Sequence, residues 1–308
     1  MNNRMIGMAT VSGIGLGGMG LSIQDRPDES QALKTIHAAL DEGITFIDTA
    51  DCYCLDSKLE HGHNERLVAK ALATWSGDPD AILVGTKGGK RKPSSGPWPT
   101  DGRPEYIKEA CEASLKSLGV EAIGLYQLHQ PDPNVPYAES LGALSELMTE
   151  GKVLQVGISN VTIDQITEAM AVVPIVSVQN QLSPIDMSGM DVVEYCTMFG
   201  VAFLAWSPLG GLSRAQSIGV EFPALQYVAG THGYTPQQVA LAWLLELSPV
   251  VIPIPSARRP ETITSIIEAC DIELTFEDLA MLNAGIPEHL LETPEPAESV
   301  AGSNDSSE

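Results

Sequence analysis

Four side chains in the first half of the chain have the types to protonate an oxygen that gains negative charge: Asp48, Tyr53, Lys87 and His129. A tyrosine hydroxyl, with an unperturbed pKa of about 10, gives up its proton reluctantly at neutral pH. A lysine ammonium beside it lowers that pKa, and a carboxylate can hold the ammonium in place. A histidine adds a hydrogen bond that orients the oxygen being protonated. Singly, each residue has a plainer reading: Asp48 as a helix-facing cap, Lys87 as a surface charge, His129 as a satisfied histidine, Tyr53 as a loop aromatic. Their placement argues for a joint role. Asp48 ends the apolar run 44–47, Lys87 follows the run 82–86, His129 follows 123–128, and Tyr53 lies just beyond Asp48 in the same loop.

The elements that must position these residues alternate along the chain. Short β-rich runs at 45–47, 81–84, 123–128, 153–157, 175–178, 201–205 and 250–254 are separated by helical stretches near 29–42, 62–74, 105–117, 138–150, 162–171, 189–199, 235–247 and 260–269. With the glycine-rich segment 13–21 as a first strand the count reaches about eight, which a closed parallel barrel requires. Strand alternating with helix implies parallel strands joined by right-handed crossovers. Chain length and the near-eightfold alternation favour a barrel over an open doubly wound sheet, so the expected fold is of the α/β class, a (β/α)8 TIM barrel in one domain spanning 1–286. All four residues then fall on the C-terminal rim of the barrel, where such folds keep their active sites. Residues 287–308 carry six acids and no Lys or Arg, and read as an acidic, disordered tail.

Composition excludes several classes of function. Asp and Glu number 40 against 17 Lys and Arg, a net charge of −23. Such a surface repels phosphate backbones, so neither nucleic acid nor an anionic membrane is an expected partner. No apolar run reaches the roughly 18 residues of a spanning helix, and the N-terminal stretch lacks a secretory h-region. The expectation is a cytoplasmic monomer or small homo-oligomer acting on a small molecule. Five scattered cysteines read as reduced thiols. Cys52, Cys54, His61 and His63 invite a metal reading. However, Asp56, Lys58 and Glu60 point to an exposed loop, and Cys-x-Cys is closer than usual zinc spacing, so no metal is expected. Gly13-Ile-Gly-Leu-Gly-Gly18 matches the dinucleotide fingerprint literally, yet no helix can follow it through Pro27. It reads instead as a strand end and a loop that approaches a ligand closely.

Longer motifs carry a resemblance. Phe46-Ile-Asp-Thr-Ala-Asp51 with Tyr53, Gly85-Thr-Lys-Gly88, Leu125-Tyr-Gln-Leu-His129, Gly157-Ile-Ser-Asn160, Val178-Gln-Asn180 and Ala205-Trp-Ser-Pro-Leu-Gly210 follow one another from residue 13 to about 270. In type and order they resemble the aldo-keto reductase family. The resemblance implies NAD(P)H-dependent reduction of an aldehyde or ketone, with Asp48, Tyr53, Lys87 and His129 as the catalytic tetrad and Tyr53 as proton donor. It assigns Ser159, Asn160 and Gln179 to the nicotinamide carboxamide and Trp206 to the face of its ring. Ser207 and Leu209 begin the loop over the pyrophosphate. It also implies a cofactor held across the barrel mouth without a Rossmann fold.

The chain departs from the family at the adenosine end. The segment 252–261, with Ser256, Arg258 and Arg259, is similar to the family's phosphate-binding stretch. Where many members continue to a Glu-Asn pair, this chain reads Thr262-Ile-Thr-Ser-Ile266. Arg258 and Arg259 can still form a fork on a 2′-phosphate, or be a basic turn with no ligand; NADPH is favoured, with NADH as the alternative. The loop 88–103 is the most basic stretch of an acidic protein, and Trp98 within it is a candidate pocket wall. Such a loop can favour anionic or sugar-like carbonyl substrates. The alternative function is an NADPH-binding regulatory or sensor barrel with little catalysis; a metal-dependent barrel lacks the histidines at its strand ends.

Overall fold

A two-stranded antiparallel hairpin, β1 (Asn3–Ile6) and β2 (Ala9–Ser12), precedes eight parallel strands in the computed structural model, which describes residues 3–284. The parallel strands are β3 (Leu16–Gly17), β4 (Phe46–Asp48), β5 (Leu83–Gly88), β6 (Leu125–Leu128), β7 (Val156–Ser159), β8 (Ile175–Gln181), β9 (Ala202–Trp206) and β10 (Val251–Pro253). Each pairs with its neighbours in sequence, in unbroken order from β3 to β10. The two end strands also meet. Gly15 N–H donates to Pro253 O and Gly17 N–H to Pro255 O, both at 2.9 Å, which joins the sheet into the expected (β/α)8 barrel.

That seam explains one of the glycines. A Cβ on Gly17 would lie 2.6 Å from the Ile254 carbonyl oxygen, so the backbones can approach only without one. The turn that follows is a single 3-10 turn at Met19–Leu21 and not a helix, which disposes of the dinucleotide fingerprint.

The helices are α1 (Glu29–Asp41), α2 (Ser57–Glu60), α3 (His63–Thr74), α4 (Pro104–Leu118), α5 (Tyr137–Thr149), α6 (Ile163–Val172), α7 (Met190–Phe199), α8 (Ile218–Glu221), α9 (Pro223–His232), α10 (Pro236–Leu247), α11 (Pro260–Glu268) and α12 (Phe276–Asn283). Their starts follow local chemistry. The Asp28 carboxylate accepts from Gln31 N–H ahead of α1, and Thr162–Gln165 and Thr235–Gln238 form capping boxes on α6 and α10. The hairpin and the helices α2, α8, α9 and α12 are not among the expected elements. Only Leu225, Val228 and Ala229 of α9 are buried, too few to mark a stripe against a run of small residues.

Two layers of core hold the barrel. Between strands and helices, Leu141, Leu144, Val156, Ile158, Val239 and Trp243 belong to one continuous buried cluster. Inside the barrel, Ile6 and Val11 of the hairpin pack with Phe46, Leu125 and Ala202, the first residues of β4, β6 and β9. The hairpin therefore closes the N-terminal end of the barrel with apolar side chains, leaving polar groups to the other end. No helix among the described residues is long and apolar enough to cross a membrane. The acidic stretch 287–308, expected as a disordered tail, lies outside the described residues.

Candidate active site

The C-terminal ends of the strands bring the four residues together. Asp48 is the last residue of β4, Lys87 lies next to the end of β5, and His129 directly follows β6. Tyr53 follows a tight turn in which its N–H donates to Ala50 O. Lys87 Nζ donates to Asp48 Oδ2 at 2.7 Å, to Thr49 O at 2.9 Å and to Tyr53 Oη at 3.2 Å. An ammonium has three hydrogens, and all three are used. The other Asp48 oxygen accepts from Gln179 Nε2 at 2.8 Å. Tyr53 and His129 meet edge to face with ring centres 5.8 Å apart.

Burial sets the charges of this group. Lys87 is fully buried, and the carboxylate that offsets it is almost so. The lowering of the Tyr53 pKa expected from Lys87 is outweighed: burial first, then the Asp48 charge, push the phenol well above its ordinary value. Tyr53 thus keeps its proton at neutral pH. Burial, then the Lys87 and Lys90 charges, hold His129 well below the usual histidine range, so its ring is neutral. His129 Nδ1 faces Cys52 Sγ at 3.6 Å. No protein partner takes Nε2 among the described residues.

Tyr53, Asp48 and His129 open onto a cavity of about 580 Å³, within the usual range for a small-molecule or cofactor site. Ser159, Asn160, Gln179, Trp206, Ser207, Leu209, Ser256, Arg258, Arg259 and Trp98 all line it as well. Ser159 Oγ donates to Gln179 O, and Asn160 Nδ2 to His129 O at 2.9 Å. Trp206 Nε1 is buried without a hydrogen-bond partner in the protein. Asn160 and Ser207 adopt left-handed backbone, φ 58° and 50°, a strained choice for non-glycine residues that recurs where a site must be shaped. The two arginines part company. Arg258 donates to the carbonyl oxygens of Gly20 and Gln24, whereas Arg259 is exposed at the start of α11.

Comparison with known proteins fits this arrangement. The model of the aldo/keto reductase family matches residues 13–286. The chain belongs to that family. It is 33% identical over 284 residues to an uncharacterized oxidoreductase of Schizosaccharomyces pombe, covering 90% of this chain and 88% of the relative. A probable aldo-keto reductase of Glycine max is 32% identical over 306 residues, covering 90% of this chain and 86% of that one. Among solved structures, an aldo-keto reductase from Klebsiella pneumoniae in complex with NADPH superposes with a TM-score of 0.74 at 25% identity, covering 92% of this chain and 95% of that one.

Two supporting residues lie outside the sequence motifs. Asn64 is fully buried at the start of α3, accepting from Thr49 Oγ1 at 2.6 Å and donating to Gly18 O and Ser22 Oγ. Glu65 accepts from Thr86 Oγ1 at 2.6 Å, and burial pushes its carboxyl up to about 7. A signal was available, because Leu67, Val68 and Ala71 mark the buried face of α3 and helical spacing carries that face back onto Asn64. The loop expected to be exposed is so in part: Lys58 and Leu59 are exposed and Asp56 and Glu60 partly so, but Cys52 and Cys54 are buried. The four residues of the metal reading separate: His61 pairs with Asp51 at 3.2 Å, His63 bonds Ser22 Oγ at 2.8 Å, and Cys54 donates to Cys52 O.

Proposed function

We propose that the protein reduces an aldehyde or ketone to an alcohol with NADPH, Tyr53 giving the proton. The observation that carries this reading is the Lys87 ammonium, whose three hydrogens go to Asp48, Thr49 and Tyr53. Because Tyr53 Oη accepts from Lys87, its own hydrogen is directed elsewhere, and Tyr53 lines the cavity. As negative charge develops on a substrate oxygen, Tyr53 donates, and Lys87 stabilises the phenolate left behind. His129, neutral and with Nε2 unpartnered, offers a second donor that orients the same oxygen. Asp48 keeps Lys87 in place and offsets its burial.

The cavity residues fit a nicotinamide cofactor. The side-chain nitrogens of Asn160 and Gln179 are held by protein acceptors, which leaves their carbonyl oxygens for an amide N–H2. Trp206 supplies a half-buried aromatic face at the end of β9. A bound nicotinamide supplies the hydride; the protein supplies binding, orientation and the proton. Arg259, exposed at the N-terminus of α11, suits a phosphate, and the NADPH held by the Klebsiella relative favours the phosphorylated cofactor.

Titration with NADPH and with NADH, followed by tryptophan fluorescence, tests the cofactor assignment, because Trp206 lines the cavity. Quenching at lower concentrations of NADPH than NADH supports the reading. If neither cofactor binds, the cavity serves another ligand.

A further inference from the structure

The basic loop 88–103 carries Lys90, Arg91, Lys92 and Arg103, and the structure separates them. Arg91 and Arg103 both pair with Asp101, at 2.8 and 2.7 Å, and Arg91 also lies over the Tyr106 ring. Lys92 donates to the carbonyl oxygens of Leu55 and Pro93, both at 3.1 Å, and sits 5.4 Å from the centre of the Trp98 ring. Lys90 differs from all three. It lines the cavity with Tyr53, Trp98 and His129, and its partner is the neutral amide oxygen of Gln130 at 2.7 Å. Among the described residues no carboxylate forms an ion pair with it.

Lys92 also lacks an acidic partner among the described residues, but of the four bases of this loop Lys90 alone combines that with a place in the cavity lining, in a chain with a net charge of −23. Burying a charge part-way from water is costly unless an opposite charge meets it. Loop geometry keeps it there. Lys90 pairs backbone to backbone with Thr100, flanked by hydrogen bonds from Arg91 N–H to Pro99 O and from Asp101 N–H to Gly89 O. Trp98, on the same hairpin-like loop, packs against Ala50, Cys52 and Tyr53 and adds an apolar wall to the cavity.

We propose that Lys90 is the anion-receiving residue of the substrate pocket, and that the preferred substrates are carbonyl compounds bearing a carboxylate or a phosphate. The inference rests on the reductase reading above and names the substrate class of that site. The charged tail of the substrate meets Lys90, its carbon chain lies along Trp98, and its carbonyl reaches Tyr53 and His129. Lys90 lies close enough to His129 for its charge to act on that ring, whereas Arg259, proposed for the cofactor phosphate, stands at the start of α11.

The test compares kcat/KM for matched pairs: succinic semialdehyde against its neutral carboxamide, and glyceraldehyde phosphate against glyceraldehyde. The expected result is a preference for an anionic member in the native enzyme. In Lys90→Met that preference falls by about ten- to a hundredfold, the worth of one charge-assisted hydrogen bond, and Lys90→Arg restores much of it. A preference in one pair alone identifies the anion as carboxylate or phosphate. Reduction of the neutral aldehydes with no preference for either anion, or a preference unchanged in Lys90→Met, overturns this inference and leaves the reductase reading standing. If no aldehyde of any kind is reduced with either cofactor, the reductase reading fails and this inference fails with it.

Discussion

Lys87 Nζ lies 3.2 Å from Tyr53 Oη, and this contact takes the last of the three ammonium hydrogens. The phenol oxygen is thereby an acceptor toward the protein and a donor toward the cavity. The proposed role as proton donor requires Tyr53 to hold its proton until a substrate needs it, and burial favours the neutral phenol. In that proposal the Lys87 cation meets the charge that appears once the proton has gone.

Removing Lys87 should separate stability from rate. Lys87→Met leaves Asp48 as an unpaired buried carboxylate, destabilising the fold by about 3–5 kcal/mol and cutting kcat by roughly 10²–10⁴. The double variant Asp48→Asn/Lys87→Met should regain most of the stability and none of the rate. Denaturant unfolding beside steady-state kinetics reads both.

Glu65 gives a signed pH dependence. Its carboxyl titrates at about 7 in the folded protein against an ordinary 4.5, so the folded state binds more protons than the unfolded between those values. Stability from this group is therefore full below about 4.5 and is lost as pH rises through about 7. That difference corresponds to about 3 kcal/mol. Glu65→Gln keeps an acceptor for Thr86 and removes the titration. The stability advantage of native protein over this variant should shrink from pH 5 to pH 8, as read by urea unfolding.

Cys52 offers a subtler variant. Among the described residues its Sγ is the one side-chain hydrogen-bond partner of His129 Nδ1, at 3.6 Å. Cys52→Val should lower kcat about fivefold as the ring loses its polar partner, and Cys52→Ser should retain most of the activity. Equal losses in both would point to packing instead.

How far the sequence could be read depended on distance along the chain. Asp48, Lys87 and His129 were legible because each ends an apolar run, and in a parallel barrel every such end faces the same rim. The hairpin was not: its strands are four residues each, with Ile6 and Val11 as their inward anchors, too few to show alternation. The charge state of Tyr53 was also out of reach, because it depends on burial and on Asp48 acting against Lys87. The four bases of the loop 88–103 looked alike until Asp101, Gln130 and Trp98 sorted them. Arg258 and Arg259, adjacent in sequence, likewise take different roles.

That difference yields a cofactor prediction. Arg259→Ala should weaken NADPH about tenfold and leave NADH unchanged, since an exposed guanidinium at a helix N-terminus is placed to meet the extra phosphate. Arg258→Ala should weaken both cofactors, because it removes a cavity-lining side chain that ties down the backbone of Gly20 and Gln24, next to the cavity-lining Met19. Fluorescence titration of each variant with both cofactors distinguishes the two.

The most direct test of the central assignment is aldehyde reduction by Tyr53→Phe under saturating NADPH, with cofactor affinity measured on the same preparation. The phenyl ring keeps the packing against His129 and removes only the hydroxyl. The expected result is a fall in kcat of roughly 10²–10⁴ with NADPH affinity unchanged. A variant that binds NADPH and turns over at the native rate would contradict it, because the proton would then come from another group.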